Sequence, residues 1–165
     1  MNYSKQLTLN PHTFHTGIQM ILQQIKSQFQ LDWWGHHGVR HWARVRRNGL
    51  GIGKARWLCV KGLRVVELFA VFHDACRVNE WDDPDHGERG AKLAHSMRDQ
   101  LNINDWQWKL LDQACTVHTH VVNDKSLHLV VQTCLDADRL DISRVGVPLN
   151  HKYIHHYPST TVSYT

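Results

Sequence analysis

Apolar residues recur at helical spacing along most of the chain. Between residues 16 and 30, Ile18, Leu22, Ile25 and Phe29 alternate with polar positions, the pattern of an amphipathic helix. The segment 31–38, LDWWGHHG, interrupts that period with two glycines. A second helix is predicted from about Val39 to Asn48, ended by Gly49, Gly51 and Gly53. Residues 63–76 carry Val65, Leu68, Phe69 and Phe72 on overlapping faces with few polar residues between them. This helix is expected at the centre, with His73 and Asp74 near its end. RVNEWDDPDHG reads as a loop, and ERGAKLAHSMRDQL resumes a helical pattern. Asn104 or Asp105 is placed to cap a further helix through WQWKLLDQACTVH. Residues 127–142 begin with apolar residues that suit a strand or a helix, and their length and later leucine spacing favour helix. Beyond Gly146 the weak periodicity predicts loop or a loosely held terminus.

With 165 residues, no internal repeat and no linker, the chain has the size of one domain with its own core. The expected architecture is a single-domain, all-α orthogonal helical bundle over 1–165, with its core at about 16–146 and a tail at 147–165. Composition leaves that picture intact, since 42% hydrophobic and 21% charged residues exclude disorder and fibrous repeats. No apolar run approaches the roughly 18 residues of a membrane span, and MNYSKQLTLNPHTF lacks a signal-peptide pattern. A cytoplasmic location without membrane attachment follows as an expectation. Cys59, Cys76, Cys115 and Cys134 are scattered with no C-x-x-C pair, so neither a zinc ribbon nor a disulfide framework is indicated. There is no G-x-x-x-x-G-K-[ST] phosphate loop and no G-x-S-x-G elbow, which leaves ATP-driven and serine-esterase readings unsupported.

Two excesses redirect attention to metal chemistry: 14 histidines and 7 tryptophans. Histidine is a common metal ligand, although surface histidines are the ordinary explanation of a surplus. The formal charge of +4 favours anionic partners. The adjacent pair His73-Asp74 closes a strongly apolar helix. Burying a carboxylate beside an imidazole is costly, and a divalent cation bound by both is an efficient partner.

Three elements follow in order: His41-x-x-Arg44-Val45, His73-Asp74, and Asp136-Ala137-Asp138-Arg139-Leu140. Together they resemble the HD superfamily of metal-dependent phosphohydrolases over about residues 37–145. The resemblance implies an HD-type helical domain that hydrolyses a phosphate ester with metal-activated water. It implies His41, His73, Asp74 and Asp138 as ligands of a divalent transition metal such as Mn, Fe, Co, Ni or Zn. Asp138 is preferred because it stands directly before the basic-Leu pair, with Asp136 as the fallback. On a helix the two lie about 200° apart, so one metal faces only one of them. His37 shares a helical spacing with His41 and is the competing ligand, or a substrate contact. The other unmatched histidines, His36, His95, His128, His151, His155 and His156, are expected to be structural or solvent-facing.

A branch of the same superfamily holds a second metal, and His86 and His118 are the candidates here, with Asp74 as the bridge and the three as catalytic residues. One and two ions both remain open, because such histidines also bind phosphate or move protons. Arg44 is one turn from His41, and Arg77, Arg89 and Lys92 are the first candidates for phosphate contacts, while Arg46 should point away. Glu80 and Asp83 suit proton transfer or a turn. The expected partner is a small phosphorylated compound, among which a nucleotide is one candidate. The basic residues cluster instead of forming a stripe, which argues against extended nucleic-acid binding. Two alternatives stand beside this reading: an HD-type iron oxygenase, and a non-catalytic domain that binds metal or nucleic acid through its arginines and tryptophans.

Overall fold

The structure is a computed structural model and describes residues 16–156. Its pivot is α3 (Val60–Phe72), in which every residue from Val65 to Phe72 is buried. A helix that is apolar nearly all round must be surrounded by others. Here α2 (Val39–Ala55), α4 (His86–Ser96), α6 (Asp105–Val117) and α7 (Leu129–Arg139) pack around it. Ahead of them, α1 (Thr16–Lys26) adds Ile18, Ile21 and Ile25 to the same core, and α5 (Arg98–Leu101) is a single turn. The all-helical expectation holds, with no strand among the described residues. No described helix is long and apolar enough to cross a membrane.

α2 departs from the sequence-based boundary. Instead of stopping at Asn48 it runs through all three glycines to Ala55. Its buried residues, His41, Trp42, Val45, Arg46, Gly49, Ile52 and Gly53, form one continuous helical stripe. Gly49 lies on that stripe because a Cβ there would collide with Val66 of α3 and press on Ala137 of α7. What resembled a terminator is the place where three helices approach closest. Arg46 turns away from the chemistry, as expected, and bonds Glu67 of α3, with Nε 2.9 Å from Oε1. Beside the start of α2, Phe29, Trp33 and Trp42 meet edge to face at 5.3–5.7 Å and close the core.

Of the two candidate caps for α6, the structure uses Asn104. Its side chain accepts from Gln107 N at 3.0 Å, and Gln107 Oε1 accepts from Asn104 N at 3.1 Å, a full capping box. Gln107 also donates to Lys61 O, which ties the start of α6 to α3.

The tail is a second departure from expectation. Residues 151–153 form a turn of 3-10 helix, and Ile154 is buried. His155 donates its backbone N–H and bonds through Nδ1 to Asp136 Oδ1, while His156 N–H donates to Asp136 Oδ2, all at 2.8 Å. Arg139 adds a bond to Tyr153 O. The buried carboxylate of Asp136 takes its partners from the tail, so this segment is docked instead of loose. The remainder of the tail, 157–165, lies outside the described residues.

α2 ends in a Schellman turn, in which Leu58 N–H reaches Gly53 O and Trp57 N–H reaches Lys54 O. The left-handed position, which favours glycine, is occupied by Trp57 at φ 58°, with its ring 93% exposed. Trp57→Gly should therefore raise unfolding stability by about 1 kcal/mol. A denaturant titration that shows no gain, or a loss, would mean that the exposed ring contributes to the fold.

Candidate metal centre

Helix ends bring the proposed ligands together. His41 lies in the first turn of α2, and His73 and Asp74 follow the last residue of α3. His86 opens α4, His118 caps the end of α6, and Asp138 sits in the last turn of α7. Three helix C-termini thus converge here, and their free carbonyls carry partial negative charge that favours a cation. Close approach of α4 is permitted by small residues. A Cβ on Gly90 would strike Phe72 O, and one on Gly87 would strike Cys115 O and the His118 ring.

Two groups with metal-ligand geometry result: His41, His73 and Asp138, and Asp74, His86 and His118. Within each, the candidate donor atoms lie within 4.8 Å of one another. In the first, His41 Nε2 is 3.0 Å from His73 Nε2 and 3.3 Å from Asp138 Oδ1. In the second, His86 Nε2 is 2.9 Å from His118 Nε2 and 3.1 Å from Asp74 Oδ1. Asp74 spans both, because its other oxygen, Oδ2, is 3.4 Å from His41 Nε2 and 3.6 Å from His73 Nε2.

The Nδ1 atoms explain what these rings are prepared to do. Each faces an oxygen acceptor: Asp141 Oδ2 for His41, Phe69 O for His73, Asp83 O for His86 and Cys115 O for His118. An Nδ1–H held by an acceptor fixes the tautomer and leaves a lone pair on Nε2. At the second group the two Nε2 atoms then face each other beside a carboxylate, and the donor at hand, Arg77 Nη1, reaches His86 Nε2 at 3.3 Å. A divalent cation satisfies both ring nitrogens and the carboxylate. Asp74 Oδ2 is moreover buried without a hydrogen-bond partner, the kind of orphaned acceptor that a metal ligand presents in a protein without its ion. The donor set therefore fits a cation.

Electrostatics separate the rings. Burial pushes His73 down to about 3 and also lowers His118, so both are neutral near pH 7. Burial opposes the charge on His41 as well. The hydrogen bond to Asp141 and the close carboxylates of Asp138 and Asp74 together outweigh that effect and raise it from 6.5 to about 9. Asp138 is held below the usual carboxylate range: burial pushes it up, but the hydrogen bond to His41 and the charges of His73, His41 and Arg144 prevail. Without a cation, the first group keeps a proton on His41 as its positive charge.

The cavity above the two groups has a volume of about 1130 Å³ and is lined by Asp74, His86, His118, Asp138, Arg77 and Arg144 among others. Arg77 donates Nε–H to Asn79 O at 3.3 Å and Nη2–H to Trp81 O at 2.9 Å. Its remaining nitrogen, Nη1, sits 3.7 Å from Asp74 Oδ1 and against the His86 ring. Arg144 donates Nε–H to His36 O at 2.9 Å and Nη1–H to Asp141 O at 3.1 Å. Its Nη2 lies 3.8 Å from Asp74 Oδ2. Two guanidinium groups anchored by backbone carbonyls thus flank the two edges of one carboxylate.

Not every sequence candidate reaches this cavity. Arg89 binds Asp83 at 2.6 Å and Cys76 O, which braces the loop before α4. Lys92 is exposed and pairs with Glu88 along α4. Neither lines the cavity, because both face away from the end of α4 that carries His86. Arg44 does not line it either, and acts one layer behind by donating Nε–H to Asp141 Oδ1 at 2.7 Å. Asp83 serves the turn, accepting from Val78 N. His37 precedes α2 instead of sharing its face with His41, lines the cavity, and bonds Glu80. Asp136 points to the tail and not to the site. His128 caps α7 by accepting from Val130 N. Asp141 and Arg144 were missed by the sequence reading, although Asp138, Asp141 and Arg144 are spaced by three, which repeats one face of a tight helical run.

Because a metal must displace the proton on His41, apparent metal affinity should rise about tenfold per pH unit between about 7 and 9 and then level off. Calorimetric titrations in buffers of different ionisation enthalpy should detect the released proton. A flat affinity profile without proton release would show that His41 is not a ligand.

No protein-family model, curated protein or solved structure matches this chain.

Proposed function

We propose that the chain is a metal-dependent phosphohydrolase of the HD type that holds two divalent transition-metal ions and acts on a small phosphorylated compound. The observation that carries this reading is the meeting of the His86 and His118 Nε2 lone pairs at 2.9 Å beside Asp74. The second oxygen of Asp74 faces His41 and His73. Two imidazoles and a shared carboxylate per ion, with room left for further ligands, suit Mn, Fe, Co, Ni or Zn. Ions in that cage supply Lewis-acid polarisation of a phosphoryl oxygen and lower the pKa of water.

The chain's own residues do the rest. The Nδ1 bonds hold the four rings in one orientation, so little reorganisation is needed when charge develops. Asp141 holds His41 on one side and accepts from Arg44 on the other. Arg144 Nη2 and Arg77 Nη1, the latter also against the His86 ring, stand on either edge of Asp74, where a metal-bound phosphoryl group would place its oxygens. His37 and Glu80 form a bonded pair in the cavity wall, the residue types that would transfer a proton to a leaving group there. Two fixed cationic side chains favour an anionic substrate, and so favour phosphate hydrolysis over oxygen chemistry.

Metal analysis of purified protein should find about two ions per chain, and a chelator should stop hydrolysis of phosphate esters until manganese, cobalt or nickel is returned. Asp74→Ala should lose both ions and turnover, whereas His86→Ala should lose one ion and keep the other. An Asp74→Ala protein with full metal content and activity would sink the assignment. Metal-loaded protein that leaves phosphate esters intact but consumes oxygen with an organic substrate would make it an oxygenase.

Arg144→Ala should raise KM roughly 10- to 100-fold through loss of a charge-assisted bond, with metal content unchanged. Arg77→Ala should behave alike. If either change instead strips the metal, that arginine supports the ligands and does not bind substrate.

A further inference from the structure

The cavity is far larger than a phosphate requires, and its outer part differs chemically from its floor. The floor holds the ligands and the two arginines, whereas the outer wall includes Ile142, Val145 and Val147, with Trp81 on the loop before α4. We propose that Trp81 is a leaving-group subsite that stacks on a flat ring. Resting on the phosphohydrolase reading, this makes the preferred substrates phosphomonoesters whose alcohol carries an aromatic or heteroaromatic ring.

Trp81 lines the cavity yet leaves 88% of its surface in water. An indole so placed gains from any flat apolar partner that covers it. The ring is also presented on a fixed backbone. Trp81 N–H donates to Asn79 Oδ1 at 2.8 Å, Asn79 Nδ2 donates to Asp82 O at 3.0 Å, and Trp81 O accepts from Arg77 Nη2 at 2.9 Å. Below it, Asp83 accepts from Val78 N and is clamped by Arg89. Little loop ordering is then lost on binding.

Position supports the same assignment. One guanidinium, that of Arg77, joins the Trp81 carbonyl on one side to the neighbourhood of Asp74 on the other. A group attached to a phosphate on the floor thus extends into a cavity that Trp81 lines, on the loop tied to the floor by Arg77. The hydrogen-bonded pair of His37 and Glu80, next to Trp81 in sequence, offers polar atoms to the rim of such a ring or to its hydroxyl-bearing linker. Stacking on an aromatic side chain tolerates many rings, so this subsite selects for flatness rather than for one compound.

The test compares two primary alkyl esters that differ in the ring: adenosine monophosphate with its phosphate on the primary ribose hydroxyl, and glycerol phosphate. The preference for the adenosine ester, as a ratio of kcat/KM values, should fall about 10-fold in Trp81→Ala, mainly through KM, and recover in Trp81→Phe. As a readout independent of turnover, adenosine alone should quench tryptophan emission of the wild-type protein, and the quench should vanish in Trp81→Ala. Hydrolysis of both esters with an unchanged ratio would overturn the subsite while the phosphohydrolase reading stands. So would absence of the quench. Inert esters with a Trp81-dependent quench would do the reverse, removing the hydrolase reading and keeping the subsite.

Discussion

Asp74 imposes the constraint on which the rest depends. Its carboxylate is almost completely buried, and one of its oxygens has no hydrogen-bond partner. Removing an ionised carboxylate from water costs several kcal/mol unless opposite charge compensates it. Nearby, burial keeps His73 and His118 neutral. Arg77 and Arg144 stay at 3.7–3.8 Å, beyond a direct bond, because backbone carbonyls engage their other nitrogens. The fold thus collects acceptors around a buried anion, with the proton-holding His41 3.4 Å from it and the arginines at its margin. Such an arrangement is stabilised by a small positive ion, and three of the five helix ends that meet here, those of α3, α6 and α7, are C-termini whose free carbonyls favour one.

Much of this was legible in the sequence, for identifiable reasons. α3 declared itself by the density of apolar residues, and its C-terminal His73-Asp74 by the contrast with them. Helix geometry allowed only one of Asp136 and Asp138 to face the metal, the resemblance favoured Asp138, and the structure turns Asp138 to the site and Asp136 to the tail. Illegible were features set by tertiary approach. Gly49 stops nothing, because its lack of a side chain is used for contact with Val66. Lys92 looked placed for phosphate, but the phase of α4 turns it to solvent beside Glu88. Arg144 comes from a short 3-10 turn after α7, where a spacing of three among polar residues gives a weak signal. The tail lacked an apolar pattern because it is held by backbone and imidazole bonds to one carboxylate instead of by burial of a stripe.

These same contrasts divide the site by mechanical role. Ligand side chains stand on helix ends that pack through α3, so their geometry is set by the core and, for His73 and His118, by Nδ1 bonds to carbonyls of their own helix. Most groups that face the cavity beyond the ligands come from two irregular segments, 77–85 and 142–147, with His36, His37 and Thr119 added from other turns. Hydrogen bonds stiffen the first of these, from Asn79, Asp83 and Arg89. The second follows α7 through Asp141, which also holds His41 and Arg44. A change in the loops can therefore alter what fits beside the metal groups without moving the ligands, whereas a change at Asp141 reaches both. That residue couples the ring that keeps the proton, the arginine behind it and the turn that carries Arg144. Its loss should disturb metal affinity and substrate handling together, a joint effect that separates it from Trp81 on the cavity wall.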